Sequence, residues 1–272
     1  MNKETFHNLE EKVKSFKHTS FQYLAYEDIM TYEVVVDHSD MILIKGYQAS
    51  LEMHEVIYAC NDYDTFIALM KDQKHVLIKF IPESWYSRLK SLGYIDYAMM
   101  RDYWLNDLSD SHFSSLNISY GKLKDAKTIS DITIENKGAS RAFLGDDEDF
   151  IKSWIDGSNQ TLESMKARSN HIYIYQENQH ILGVALTCIY GDDSKKGPVL
   201  WFREIAVRKA NHNQGIGRKL MMHALSEAYK NGAKRSFLMT DDLNIHAKHL
   251  YESIGFKADL NDAQIDMITP HK

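Results

Sequence analysis

Cysteine is nearly absent from this 272-residue chain: Cys60 and Cys188 stand alone, in different halves, inside apolar strand-like segments. Free thiols in such places are ordinary small core residues, so a disulfide framework and a Cys-based zinc site are both excluded. Proline occurs only three times, against 44% hydrophobic and 26% charged residues, which excludes a disordered or collagen-like chain. Long hydrophobic runs are missing too. The longest nearly apolar stretch, Ile181 to Tyr190, is about half of the roughly 18 residues a membrane span needs. The opening MNKETFHNLE lacks the apolar core of a secretion signal and the Arg-rich character of a transit peptide. A soluble protein with a cytoplasmic address and no membrane partner is expected. His54-Glu55 has no second His to complete a zinc-protease motif, and no Gly-x-Ser-x-Gly nucleophile elbow exists; no metal is expected.

The net charge of -6 is unevenly spread. Lys195 to Arg235 contains ten Lys or Arg and two acids, Glu204 and Glu227, so this window carries +8 and the remainder -14. An acidic protein with one concentrated basic segment does not offer the extended basic face that nucleic acid requires, and no nucleic-acid partner is expected. A small polyanionic ligand suits the segment better, although a solvated Lys-rich helix face would look the same.

Length suggests one large or two ordinary domains. Between Asn106 and Lys127 the sequence turns polar and Ser-rich, which places a boundary near 125/126 and divides the chain into residues 1–125 and 126–272. Past it, Ile129 to Ile134 reads as a strand and Ser140 to Ile155 and Thr161 to Arg168 as helices. Strands follow at His171 to Gln176, Ile181 to Tyr190 and Val199 to Val207. Then the period changes. Ile216, Leu220, Met221, Ala224, Leu225 and Ala228 recur at three- and four-residue intervals, which predicts a helix from Gly215 to Lys230. A strand at Ser236 to Thr240, a helix over Ala247 to Ile254 ended by Gly255, and two closing strands paired across an Asn261-Asp262 turn complete a mixed α/β layer fold. The first half runs through the same order: strand Glu55 to Cys60, helix Tyr63 to Met70, strand His75 to Phe80, helical WYSRLKSLGY and strand Ile95 to Trp104. Leu92-Gly93-Tyr94 matches Ile254-Gly255-Phe256 at an offset of 162, and a degenerate tandem duplication is expected.

The segment with chemical content is Arg203 to Leu220: a buried strand, a polar loop, then Gly-x-Gly opening an amphipathic helix. The first turn of a helix has amides without intrahelical partners, in the positive field of the helix dipole, and such a place binds phosphate. Gly215 and Gly217 allow a bulky anion close to the main chain, with Arg218 and Lys219 beside it. Leu220 rules out a dinucleotide-binding fingerprint, and the Gly-Lys-Ser/Thr of a P-loop is missing.

With this loop, a second motif makes residues 128–270 resemble the GNAT acetyltransferase superfamily. Asn244, Ala247, Leu250-Tyr251 and Gly255-Phe256 are similar to the family's N-x-x-A-x-x-L-Y-x-x-x-G-F, and Val207 to Gly217 is similar to its pyrophosphate loop, although His212 stands where the family has Arg or Gln. The resemblance implies the acyl-CoA N-acyltransferase fold, here as two GNAT-like domains in tandem, and acetyl-CoA as co-substrate. It implies that the strand ending at Val207 splays from the strand 236–240, with the pantetheine in the gap. Backbone groups of Ile205, Ala206 and Val207 would hold its amides and form the oxyanion site. Loop groups of His212, Asn213, Gln214, Gly215, Ile216, Gly217, Arg218 and Lys219 would hold the pyrophosphate, His212 making binding weaker or pH-dependent. Lys195, Lys196, Arg208 and Lys209 would neutralise further phosphate charge. Asn244 would bind the pantetheine or cap the following helix.

Transfer to an amine needs a proton removed from the nitrogen and one given to the departing thiolate. Tyr251 is the expected donor, unless it is simply core. Glu204 is the expected base, unless it pairs with Arg203 or Arg208, with water as the fallback. The acceptor pocket would use Asp156-Gly157-Ser158, with Asp146, Asp147, Glu148 and Asp149 before it suiting a cationic amine or merely starting a helix. The implied activity is acetyl transfer to a primary amine of a small molecule or peptide. A non-catalytic acyl-CoA-binding protein is the alternative, and a tandem peptidyl or aminoacyl transferase a third reading disfavoured by the acidic charge. In the first half no glycine occurs between Gly46 and Gly93, and Leu89 and Pro82 stand where Tyr251 and Asn244 would, so that half is expected not to bind acyl-CoA.

Overall fold

The computed structural model describes every residue except 23, 50, 109–116, 141–142 and 272, and the side chains of 261 and 262. Its contacts divide the chain into two units, Met1–Met100 with Asp262–Lys272, and Arg101–Asn261. The Ser-rich stretch 106–127 belongs to the second of these.

The first unit holds α1 (Lys3–Val13), β1 (His18–Thr19), α2 (Tyr26–Ile29), β2 (Glu33–Asp37), β3 (Met41–Gln48), β4 (Met53–Cys60), α3 (Tyr63–Met70), β5 (Leu77–Ile81), α4 (Glu83–Ser91) and the start of β6 (Ile95–Leu105). Strands β2, β3, β4 and β5 are neighbours in that order. Phe66, Leu69, Trp85 and Leu89 form one buried cluster, and Phe6, Leu9, Val13 and Ile29 belong to another. One edge of β4 pairs with β3 along its whole length, from Met53↔Gln48 to Cys60↔Met41. The other pairs in parallel with β5 only at Glu55↔Leu77 and Val56↔Ile78. Past Val56 that second edge is taken by β1, with Thr19 opposite Ala59 and His18 opposite Cys60. The Ser20 amide donates to the Tyr58 carbonyl at 2.9 Å, and Ser20 Oγ accepts from the Tyr58 amide at 3.0 Å.

The second unit holds the end of β6, then β7 (Ile118–Tyr120), α5 (Ala126–Glu135), α6 (Glu148–Asp156), α7 (Gln160–Ser164), β8 (Ser169–Glu177), β9 (His180–Tyr190), β10 (Val199–Val207), α8 (Ile216–Lys230), β11 (Arg235–Asp241), α9 (Ile245–Ile254) and the first part of β12 (Lys257–Ile268). Its strand order is β11-β10-β9-β8-β7, with the Trp104 ring of β6 tilted against Phe237 at 4.7 Å between centroids. Leu220, Met221, Ala224 and Leu225 of α8 are buried in one cluster, and Ile129 and Ile132 of α5 with Ile151 and Trp154 of α6 in another. Burying each large apolar side chain stabilises the unit by about 1.5–3 kcal/mol.

Three local expectations change. Ile129 to Ile134 is helical, not a strand: Ala126, Ile129, Ile132 and Thr133 are all buried, a helical spacing that its β-branched residues disguise. The helix expected from Ser140 starts only at Glu148, where Asp147 caps it by accepting from the Phe150 amide at 2.8 Å. Residues 141–142 of that segment lie outside the described residues. The two closing strands are one strand, β12, whose Ile265, Met267 and Ile268 pair with Ile81, Ile78 and Leu77 of β5; that pairing replaces the hairpin.

Helices α4 and α9 end alike. Gly93 and Gly255 take φ of +86° and +112°, and the next amides, of Tyr94 and Phe256, each reach back at 3.1 Å to the carbonyls of Leu89 and Tyr251. This closure needs a left-handed residue, which glycine supplies without steric cost.

Candidate active site

Strand β10 pairs antiparallel with β9 from Val199↔Tyr190 to Val207↔Gly183, with a bulge between Phe202 and Glu204. Its parallel pairing with β11 stops at Trp201↔Phe237. Beyond Trp201 the two strands part, forming the splay that the resemblance implies. The Arg208 amide donates to the Leu182 carbonyl at 2.8 Å. Because hydrogen-bonded and non-bonded positions alternate in an antiparallel ladder, the main-chain groups of Ala206 belong to β9, whereas those of Ile205 and Val207 face the open edge. The Val207 carbonyl there already accepts from Asn136 Nδ2 at 3.0 Å and His212 Nε2 at 2.8 Å. Of the three residues expected to line the gap, Ile205 therefore retains both backbone groups, Val207 its amide and Ala206 neither.

The loop after β10 turns back at Asn211 and His212, whose amides donate to the carbonyls of Arg208 and Lys209. Asn213 and Gly215 then adopt φ of +61° and +75°, and the first intrahelical bond of α8 is Lys219 N–H to Gly215 C=O at 3.0 Å. The amides of residues 213–218 have no acceptor among the described residues. Six unpaired donors at a helix start form an anion cradle. A Cβ on Gly217 would lie 3.3 Å from Leu250 Cδ2, so the cradle is tight on its α9 side. On the strand below, a Cβ on Gly183 would lie 2.8 Å from Ile216 Cγ2. Gly183 escaped the sequence reading, and a glycine interrupting an apolar strand was its signal.

The cations are less available than expected. Arg218 bonds Ser253 Oγ at 2.6 Å and its carbonyl at 3.2 Å, Lys219 bonds the Tyr175 hydroxyl at 3.2 Å, and Arg208 pairs with Glu135 at 3.2 Å. Lys195 and Lys196 do not belong to the cradle. They precede the nine-residue β10, whose length of roughly 26 Å separates them from the loop at its other end. His212 Nε2 donates to the Val207 carbonyl at 2.8 Å, which closes the loop.

Tyr251 lies on α9, 9% exposed, with the Tyr103 ring 6.1 Å away. Burial, then the neighbouring Glu204 and Tyr103, push its phenol well above the ordinary value, so it stays protonated. Glu204 is also buried. Arg203 pairs with both carboxylates: with Asp146 bidentately at 2.5 and 2.8 Å, and with Glu204 Oε2 at 3.4 Å. The Arg203 guanidinium sits 4.1 Å from the centre of the Phe150 ring. Glu204 Oε1 is buried and has no hydrogen-bond partner among the described residues. Burial first, then the hydrogen bond and charge of Asp146, outweigh Arg203 and push the Glu204 carboxyl well above the ordinary carboxylate range. These influences favour the protonated form of Glu204 over the ionised base. Arg203 was visible beside it in the sequence; Asp146, 58 positions away, was not.

The acidic run is largely structural. Asp146 holds Arg203, Asp147 caps α6, and Glu148 and Asp149 pair with Lys152 at 2.8 and 3.5 Å. Gly157 ends α6 at φ +82°, and the Asp156 carboxylate accepts from the Ser158 amide at 2.9 Å. Asn244 caps α9, accepting from the Ala247 amide at 3.3 Å. Among the described residues no cluster of His, Cys, Asp or Glu is arranged to hold a metal, and no helix is long and apolar enough to cross a membrane.

The profile of the acetyltransferase (GNAT) family matches residues 140–256. The "Probable spermine N(1)-acetyltransferase" of Bacillus subtilis subsp. natto is 31% identical over 115 residues, covering 39% of this chain and 72% of the relative. Two solved structures share the fold. A GCN5-related N-acetyltransferase from Sphaerobacter thermophilus has a TM-score of 0.55 at 13% identity, over 88% of this chain and 83% of its own. A GNAT-family acetyltransferase from Colwellia psychrerythraea has a TM-score of 0.56 at 11% identity, over 98% and 97%. A strand fork, a helix-start cradle and a relative matched over most of its length lead to one conclusion: the chain belongs to the GNAT acetyltransferase family.

Proposed function

We propose that this protein transfers the acetyl group of acetyl-CoA directly to a primary amine of a small molecule in the cytoplasm. The observation that carries the reading is the cradle of six unpaired amides, residues 213–218, at the open end of the β10/β11 fork. These amides suit a diphosphate, and the glycine-lined approach leaves room for one. The amides of Ile205 and Val207 and the carbonyl of Ile205 would hold the pantetheine arm, with Asn244 at its side, and the Ile205 amide is the oxyanion donor. Bound acetyl-CoA supplies a thioester, an acyl donor whose leaving group is a thiolate.

The chain's own groups then divide the proton work. Tyr251 gives its proton to the departing sulfur, because its buried phenol is neutral and a desolvated thiolate is a strong acceptor. Glu204 is protonated at rest, so water removes the proton from the acceptor nitrogen. A cationic amine is the acceptor class favoured by the spermine acetyltransferase relative and by the overall charge of -6.

Residues 1–125 are proposed as a degenerate tandem copy that does not bind acyl-CoA. The shared helix ending at Gly93 and Gly255 supports the duplication. The loss of binding is supported by β1, which occupies the very edge of β4 that a pantetheine would need. One feature favours a non-catalytic acyl-CoA-binding protein instead, namely that burial and Asp146 push the Glu204 carboxyl toward its protonated form.

Thermal unfolding with and without acetyl-CoA tests the reading. At about 100 times Kd the ligand adds roughly 2.7 kcal/mol, a midpoint rise of several degrees; an unchanged midpoint at millimolar ligand sinks it. Acetylation of spermine as a probe acceptor then separates an enzyme from a binding protein.

A further inference from the structure

Asp146 is the residue of this site that neither the motifs nor the proposed mechanism uses, yet its carboxylate is buried beside Glu204. It reaches β10 from the segment before α6. There the bulge after Phe202 lets two successive residues, Arg203 and Glu204, both contact Asp146. The bidentate pair engages the Arg203 fork with Asp146, leaving a single 3.4 Å contact to Glu204. Among the described residues one cation, the partly exposed Arg203, thus serves two buried carboxyl groups, which favours a proton on one of them. Among the described residues, the charged and titratable groups facing Glu204 are Asp146 from that segment, Arg203 from β10 and Tyr251 from α9.

We propose that Asp146 is a positioning residue for acyl transfer: it takes both arms of the Arg203 fork away from Glu204, so that Glu204 remains an uncharged carboxyl whose Oε1 accepts from an N–H of the incoming amine. This rests on the acetyltransferase reading above. The chemistry favours it. An ionised carboxylate next to the acceptor would stabilise the ammonium form and withhold the nitrogen lone pair, whereas a neutral, desolvated acceptor favours the free amine. The orphaned Oε1 is the atom awaiting such a donor.

The proton can be followed without any turnover. Carbon-13 NMR of labelled Glu side chains, with Glu204→Gln to assign the signal, should show Glu204 still protonated at pH 8 in the wild type. In Asp146→Asn the titration midpoint should fall by at least one pH unit, a tenfold loss of proton affinity, while Asp146→Glu should keep it high. A wild-type Glu204 already ionised at pH 7, or an unmoved midpoint in Asp146→Asn, overturns the proposal; the first result is decisive even if the variants fold poorly. With spermine as probe, Asp146→Asn should lower kcat/KM about tenfold at unchanged KM for acetyl-CoA. Glu204→Gln, an uncharged copy of the acid, should cost less, and the reverse order overturns the role. A wild type that binds acetyl-CoA but leaves spermine untouched counts against the acceptor class alone, and the carboxyl titration then judges Asp146.

Discussion

Burial favours the protonated forms of Tyr251 and Glu204, and for Tyr251 this has a measurable consequence. Replacing Tyr251 with Phe keeps the ring packed against Tyr103 and Phe256 but removes the donor. The expected result is a loss of about 100-fold in kcat, within the range of a general acid, with the calorimetric Kd for acetyl-CoA unchanged. A second buried acid, Asp266 of the first unit, accepts from the Phe80 amide at 3.2 Å and is pushed by burial from its ordinary value to about 6. The folded state therefore binds this proton more tightly than the unfolded chain. Its contribution is fully present below about pH 4 and is lost as pH rises through about 6, a swing of up to about 3 kcal/mol. Urea unfolding between pH 4 and 7 should show that swing in the wild type relative to Asp266→Asn; parallel curves would refute it. At this scale the motif identified Tyr251, since a short local pattern carries it. Asp146 was not legible, because its partner Arg203 is 57 positions away and only the folded chain brings them together.

Strand β10 and helix α8 show what local pattern can and cannot reveal. The apolar spacing of Ile216 to Ala228 predicted α8 to within a residue of its observed start, because a one-sided helix must bury every third or fourth position. Helix α5 defeated the same reasoning: its Thr and Ile residues favour strands, and packing against α6 overrides that preference. The tight side of the cradle gives an element-level prediction. Gly217→Val would press its side chain toward Leu250 and fill the anion's approach, so acetyl-CoA affinity should fall at least tenfold by calorimetry, while far-UV circular dichroism keeps its helical signal. Unaltered affinity would remove the diphosphate from this helix start.

At the scale of the whole molecule, two units carry two strand forks with opposite contents. In the second unit the β10 edge is open beyond Trp201; in the first, β1 covers an edge of β4 from Tyr58 to Cys60. Titration calorimetry should therefore give one acetyl-CoA per chain, and two sites would show that the β1 closure does not hold in solution. By itself the sequence determined the family, the helix and strand order around the loop, and the residues of the cradle, because periodicity, glycine placement and a compact motif are short-range properties of the chain. Only the tertiary structure decided that Lys195 and Lys196 stand at the far end of β10, that Val207 has lost its carbonyl to Asn136 and His212, and that burial beside Asp146 pushes Glu204 toward its protonated form. Availability of a backbone group and protonation of a side chain depend on which distant residues fold against them, and burial, the largest influence on both, exists only once the layers have packed.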